Sequence, residues 1–421
     1  MIPAAPPSLP RAAYQHSLAA GYFAYFTVLG VFTPYVSLWL SAQGYTALAI
    51  GQLMALVALV RVVGPFVVAS LFDHARSRRW WFVGMAVVAL GVWGLVAAQV
   101  SGWLPGASAA TLPLAALALL LTVYSLAFNS LVPLFDAYVL DCLGQARDDY
   151  GRLRWWGSAG FIVSSTLLGQ WLARADTAVI LEALLLTLLL TVICFLTLPA
   201  DPPRRAPPAP TGVFLRALRQ RAVVVFLAVQ VLQLTGFGAY YTFFSLYLQR
   251  HGYGSAQIGL LWAWGVVAEI AVFLAAPWLV QRWRLRTLLQ WALLGTALRW
   301  VLLATLVEHP AVVWAAQALH LAGFGLFHTV TVLLLPRLLP AGAAARAQAL
   351  SGSLGWGLGG IAGSLLSAWL WTTAGPAVAF WGSALLALAA ALLAAVGLRG
   401  AAVDRVDPLP ALLINQGKFH G

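Results

Sequence analysis

Twelve stretches of the chain stay apolar for long enough to cross a lipid bilayer, and no other feature restricts the fold as severely. A transmembrane helix needs about 20 apolar residues, and in hydrocarbon only helices and closed barrels satisfy every backbone N–H and C=O. The runs fall at residues 17–41, 47–71, 80–100, 111–140, 153–173, 178–198, 222–249, 255–280, 286–307, 311–338, 343–373 and 376–398. With 62% of 421 residues hydrophobic and 9% charged, the chain is no soluble globular protein. Residues 1–11 are proline-rich, and the first apolar run is too long for a cleaved signal peptide, so it reads as a first spanning helix. Turn residues separate the runs at Gly44-Tyr45, Pro105-Gly106, Gly252-Tyr253-Gly254 and Glu308-His309-Pro310.

Residues 199–221 hold six prolines and five arginines and cannot span. They divide the chain into an N-terminal bundle of six helices (1–198), a linker (199–221), a C-terminal bundle of six (222–398) and a tail (399–421). The net charge of +12 would point to nucleic acid in a soluble protein. Here the positions of the basic residues explain it, and no nucleic-acid partner is expected. If the termini are cytoplasmic, 20 of the 24 basic residues lie on that side and only Arg174 and Arg250 lie outside. Arg61 and Arg299 remain within the spans.

The halves repeat. Ser37-Leu38-Trp39-Leu40, Gly44-Tyr45 and Ile50-Gly51 match Ser245-Leu246-Tyr247-Leu248, Gly252-Tyr253 and Ile258-Gly259 at a constant offset of 208. The same offset lays Arg76 on Arg284, Arg78 on Arg286 and Arg61 on Glu269. Two six-helix halves in parallel orientation resemble the major facilitator architecture, whose substrate site lies between the halves near the midplane.

Four charges sit deep in apolar runs: Arg61, Asp136, Glu269 and Arg299. A charge at mid-span costs several kcal/mol, on the order of 3, unless it is paired or hydrated, which makes each a functional candidate. Glu269 reads as the protonation site, because burial favours the neutral carboxyl whereas a nearby Arg299 favours the ionised one. The alternative is a static pair of Glu269 with Arg299 or Arg61. After the second span, Asp73, Arg76, Arg78 and Arg79 resemble the major facilitator signature, with Ala69 in place of its glycine and His74 in place of its first arginine. Asp73, Arg76, Arg284 and Arg286 are candidates for a cytoplasmic gate of bonds made and broken between helices. A topology signal alone is the other reading.

Asp149-Tyr150-Gly151-Arg152-Leu153-Arg154-Trp155-Trp156-Gly157-Ser158 makes the resemblance more specific. It is similar to the phenylpropionate permease group, related to lactose permease and the oligosaccharide–proton symporters. Those symporters carry an acid in helix 4 and an arginine 18 positions on, both touching substrate, and Asp136 and Arg154 have that separation. The resemblance also implies substrate-lining roles for Ser158 and Phe161. It aligns Glu269 with the family's essential glutamate, Arg299 with its helix 9 arginine and His320 with its helix 10 histidine. By their positions alone, Arg154 also reads as a helix-end charge and His320 as a core histidine. A second acid three residues beyond the histidine is replaced by Gly323, so the known proton route does not transfer whole. His328, eight residues after His320, is expected about 80° round an α-helix, facing the same cavity at a different point.

Tyr25, Tyr240 and Trp262, together with Tyr22, Phe32, Phe244 and Phe273, are candidates to line a cavity for flat apolar ligands. Interfacial belts are the other use of such aromatics. Gly355, Gly359 and Gly363 stand at four-residue spacing, which signals close helix packing. Cys142 and Cys194 have no disulfide or metal spacing. There is no phosphate-binding loop, no nucleophile with a partnered base and no paired-histidine site, so neither an enzyme nor a metal or other cofactor is expected.

The expectation is an all-α membrane protein of twelve transmembrane helices in two pseudo-symmetric bundles. The resemblance implies a monomeric proton-coupled symporter of a bacterial inner membrane, with termini in the cytoplasm. It would import a small organic solute such as an aromatic carboxylate, its partners being that solute, H⁺ and lipid. A sugar or nucleoside symporter, a proton-driven exporter and a non-transporting scaffold are the alternatives.

Overall fold

The apolar runs are helices, as segments in hydrocarbon must be to satisfy their own backbones. The computed structural model describes residues 11–75, 77–102, 111–144, 146, 149–201, 218–339 and 350–400. Arg76, the Pro105-Gly106 turn, most of the 199–221 linker and nearly all of the tail lie outside the described residues. The N-terminal half comprises α1 (Arg11–Ala42), α2 (Ala47–His74), α3 (Arg78–Val100), α4 (Leu114–Leu143), α5 (Tyr150–Leu172) and α6 (Val179–Leu196). The C-terminal half comprises α7 (Arg221–Arg250), α8 (Ser255–Arg282), α9 (Leu285–Leu306), α10 (Pro310–Arg337), α11 (353–373) and α12 (Pro376–Gly397).

Ten of these helices are long and apolar enough to cross a membrane on their own account. The other two are α5, which carries Arg152, Arg154 and three serines, and α11, which is rich in glycine. Several helices are interrupted. In α4 the segment Leu114–Phe128 ends at Asn129 and Leu131–Leu143 resumes, while α7 breaks at Phe237. A π-helical turn occupies Leu321–Leu326 in α10, and another, Ser353–Gly359, opens α11.

The internal repeat has a local structural cause. Gly44 and Gly252 both adopt positive φ, +87° and +82°, which glycine reaches without the Cβ penalty. Each closes its helix with the same pair of bonds: Gly44 N–H to Ser41 O with Tyr45 N–H to Leu40 O, and Gly252 N–H to Gln249 O with Tyr253 N–H to Leu248 O. Each following tyrosine then ties down the connection that enters the fourth helix of its half. Tyr45 donates to Leu112 O at 2.5 Å, and Tyr253 donates to Val307 O at 2.7 Å. Burial pushes both phenol pKa values up, so both remain donors.

Within the halves, α1 packs on α5 and α6, α3 on α6, and α12 on α9 and α7. Gly363 lies so close to α7 that a Cβ there would come 2.4 Å from Thr235 O, while Gly355 and Gly359 meet Leu234. Between the halves, α5 lies against α8, α2 against α11 and α1 against α7. These seams are tight near the end of the molecule that bears the Gly44 and Gly252 turns, and again at Gly357, where a Cβ would stand 2.2 Å from Val62 Cγ2. A Cβ on Gly259 would stand 2.4 Å from Ser165 O and 2.5 Å from the Tyr35 hydroxyl, which itself donates to Ser165 O at 2.7 Å. A Cβ on Gly51 would stand 2.2 Å from that of Ala368.

Candidate substrate and proton site

A buried polar chain runs through the C-terminal half. Arg299, on α9, is fully buried. One terminal nitrogen lies 2.8 Å from His320 Nδ1 and the other donates to Gln317 Oε1 at 2.5 Å. Gln317 is held in turn, its amide nitrogen donating to Leu261 O at 2.9 Å and the Tyr240 hydroxyl at 3.4 Å. The guanidinium carbon lies 4.2 Å from the Tyr240 ring centroid and 4.5 Å from that of Trp300, so aromatic faces replace part of the lost hydration. An arginine accepts no hydrogen bond, so His320 Nδ1 is the acceptor and the neutral ring carries its hydrogen on Nε2. That atom is 3.8 Å from Glu269 Oε2. Glu269 keeps 16% of its side chain exposed despite its depth in α8, so the chain ends on a partly exposed carboxyl.

The N-terminal half contributes a second cluster. Asp136, on α4, accepts from the Tyr22 hydroxyl at 2.6 Å, with the Tyr150 ring 6.4 Å from that of Tyr22. Arg154 lies over Phe26, 4.1 Å from its centroid, and 5.7 Å from that of Tyr22. Gly157, one turn on, makes room for this fold-back: a Cβ there would come 2.8 Å from both Arg154 Nη1 and Phe26. Arg154 bears electrostatically on Asp136 in its own half, and on Glu269 and His328 in the other. Ser158 and Phe161 follow it on α5, half-buried, and the Phe161 ring is 6.4 Å from Trp262 across the seam.

Not every expected neighbour is brought together. Glu269 faces His320, not Arg299 or Arg61. Arg61 is half-buried and bears on Tyr25, Tyr124 and Tyr241 instead. Tyr25, Tyr240 and Trp262 are also not at an open surface. Tyr25 is 4% exposed and stacks on Phe128 at 4.4 Å; Tyr240 is 1% and Trp262 3% exposed. Tyr22, Phe32 and Phe244 are buried as well, whereas Phe273 is half-buried. Their helical neighbours Phe26 and Tyr241 are half-buried too, as are Phe161, Phe324 and Trp356. Adjacent residues point about 100° apart, so an offset of one residue exchanges a buried position for a partly exposed one. Gln317 escaped notice too, although it lies three residues before His320 and so on the same helix face.

His320, Phe324 and His328 form a column: the first two rings are 5.3 Å apart at 16° and the next two 6.2 Å apart at 11°. The π turn at Leu321–Leu326 widens α10 between them and reduces the 80° offset expected of a regular helix.

The described bonds near the proposed gate lie within each half. Arg78 pairs with Asp141 at 2.8 Å, and the Asp201 carboxylate accepts from the backbone N–H groups of Arg78 and Arg79 at 2.8 and 2.9 Å, capping α3. Arg79 also donates to Leu196 O. Arg286 donates to Ala395 O at 2.7 Å, and Arg284 is exposed. Of Asp73 only the backbone, at the end of α2, is described. Both cysteines are free thiols, and no metal-binding group of His, Cys, Asp and Glu exists among the described residues.

Residues 15–381 match the sequence model of the MFS_1 like family. The chain is 33% identical over 321 residues to the probable 3-phenylpropionic acid transporter of Escherichia coli (strain K12), covering 74% of this chain and 79% of that one. It is 29% identical to the maltose permease of Geobacillus stearothermophilus over 83% of this chain and 86% of the relative. The crystal structure of the nucleoside transporter NupG superposes with a TM-score of 0.76 at 17% identity, covering 91% of this chain and 98% of that one. An all-helical fold with ten helices apolar enough to span a bilayer agrees with the sequence match: the chain belongs to the MFS_1 like family, as a multi-pass major facilitator transporter of small solutes rather than an enzyme.

Proposed function

We propose that the protein is a proton-coupled symporter importing a small aromatic carboxylate by alternating access. The observation that carries this reading is the chain Arg299–His320–Glu269, which ends on a partly exposed carboxyl on which Arg154 bears electrostatically. Glu269 takes up H⁺ and hands it to the far side, with His320 donating toward it. Arg154 receives the carboxylate, and Phe26, Phe161, Tyr241 and Trp356 receive the flat apolar body. An anion on Arg154 and a proton on Glu269 each cancel part of the charge the other faces, so the two travel together. Ser158, Arg61 and Asp136 border the same passage. The name of the Escherichia coli relative supports an aromatic acid as cargo.

In this reading the N-terminal (1–198) and C-terminal (222–398) bundles move as units, and the protein works as a monomer. It sits in a bacterial inner membrane with both termini in the cytoplasm, so the tight seam at Gly51 and Gly259 closes the outer side. Bonds of Asp73, Arg76, Arg284 and Arg286 form the inner gate once the halves tilt. A second reading, a sugar or nucleoside symporter, draws on Asp136 beside Arg154, an acceptor–donor pair suited to hydroxyls.

The test is uptake of 3-phenylpropionate, uridine and maltose into proteoliposomes under an inward H⁺ gradient. Accumulation of 3-phenylpropionate alone, abolished by a protonophore, is expected. Accumulation of uridine or maltose instead would select the second reading, and gradient-independent equilibration would remove proton coupling.

A further inference from the structure

We propose that His328 is a ligand of the transported solute, closing with Arg154 on the same anionic group from the opposite half. This rests on the aromatic-acid reading and names a residue outside the set that the family resemblance supplied.

The two histidines of α10 are used differently. His320 is buried with both nitrogens directed: Nδ1 to Arg299 and Nε2 to Glu269. His328 is exposed, although it lies between Phe324 and the Phe273 ring, 6.1 Å away on α8. Neither of its ring nitrogens bonds any described residue. An imidazole at this depth with free nitrogens needs water or a ligand. Its ring belongs to a column at the seam between the halves: Phe324, stacked on it, is 5.7 Å from Trp356, whose segment Ser353–Gly359 packs on α2 of the N-terminal half, and Arg154 of that half also bears on it electrostatically.

Its orientation is fixed by stacking alone. Phe324 lies between the two imidazoles and is itself 5.7 Å from Trp356, whose ring is 5.8 Å from Tyr241. The ring plane is therefore set while the polar edge stays available, the arrangement expected of a preorganised binding group. A solute with a flat apolar body meets Phe324, Trp356 and Tyr241, and its carboxylate reaches the edge of His328 opposite the guanidinium of Arg154. Contact with both halves at once gives the cargo a direct hold on their relative position.

The experiment uses the purified full chain. Binding of 3-phenylpropionate is compared with binding of its uncharged amide in wild type, His328→Ala and His328→Gln, with thermal unfolding as the check on folding. The alanine variant should bind the acid about tenfold more weakly with a smaller change for the amide, and the glutamine variant should recover part of the loss. Affinity for the acid within about twofold of wild type in a folded His328→Ala protein overturns the inference. A second measurement separates this from failure of the aromatic-acid reading. In a Cys142→Ser, Cys194→Ser background, the thiol of His328→Cys should react with water-soluble 2-sulfonatoethyl methanethiosulfonate, and 3-phenylpropionate should slow that reaction. If wild type does not bind 3-phenylpropionate, the aromatic-acid reading falls; protection of the thiol by uridine or maltose, which carry no anion, then upholds His328 as a ligand of the solute and overturns the shared anionic group. No labelling, or no protection by any of the three, overturns it.

Discussion

The Nδ1 atom of His320 lies 2.8 Å from a terminal guanidinium nitrogen of Arg299. The contact fixes the tautomer and with it the group presented to Glu269. Because Arg299 also holds Gln317, one substitution releases two buried acceptors at once. Arg299→Ala should cost on the order of 3 kcal/mol of stability, the scale seen when one member of a buried charged cluster is removed. Arg299→Lys should recover less than half, since an ammonium cannot reproduce the planar two-nitrogen fork. Thermal unfolding of the purified variants would decide, and wild-type stability in the alanine variant would contradict the description of this cluster.

Glu269→Gln removes the ionisable end of the chain with little change of volume. Accumulation of solute against a gradient should fall by about two orders of magnitude, the equivalent of some 2.7 kcal/mol, while exchange of labelled for unlabelled solute persists. Loss of both activities would identify Glu269 as a structural residue.

Arg154→Lys retains the charge but loses the stacked fork over Phe26. An apparent KM roughly tenfold higher, with proton coupling intact, is expected from the difference between the two cations. Phe26→Leu should act in the same direction and more weakly, by about 1 kcal/mol. Transport kinetics in vesicles measure both.

Two glycine substitutions should have different outcomes. Gly259→Ala inserts a methyl between the halves, 2.4 Å from Ser165 O, and should shift the population toward the state in which that seam is parted. Cysteine accessibility on α5 and α8 would report it. Gly363→Ala forces α11 from α7 inside one half and should lower stability by about 2 kcal/mol without favouring either state. Equal accessibility changes in the two variants would refute the distinction.

The spans were legible because the demand of the bilayer acts on composition over a whole segment and does not depend on helical phase. The last run, expected at 376–398, is the helix Pro376–Gly397. The repeat was legible for a related reason: only glycine suits the turns at Gly44 and Gly252, so the motif stands out from apolar surroundings. Phase itself was not legible. Whether Tyr240 or Tyr241 is the buried ring depends on how α7 is turned against its neighbours, and α7 breaks at Phe237 just before them. The alignment of His320 with His328 needed a π turn that no local residue pattern announces. The partners of Arg299 were half visible: the histidine stood out, whereas a glutamine carries no charge to betray its depth.

Asp201 has one more implication. By gripping the start of α3 while the Tyr138 hydroxyl donates to Pro199 O at 2.6 Å, the fold moors residues 199–201 to the first bundle. In the alternating-access reading proposed above, residues 199–201 would travel with the first bundle, and Asp201→Ala would loosen that mooring without touching a residue assigned to the cargo.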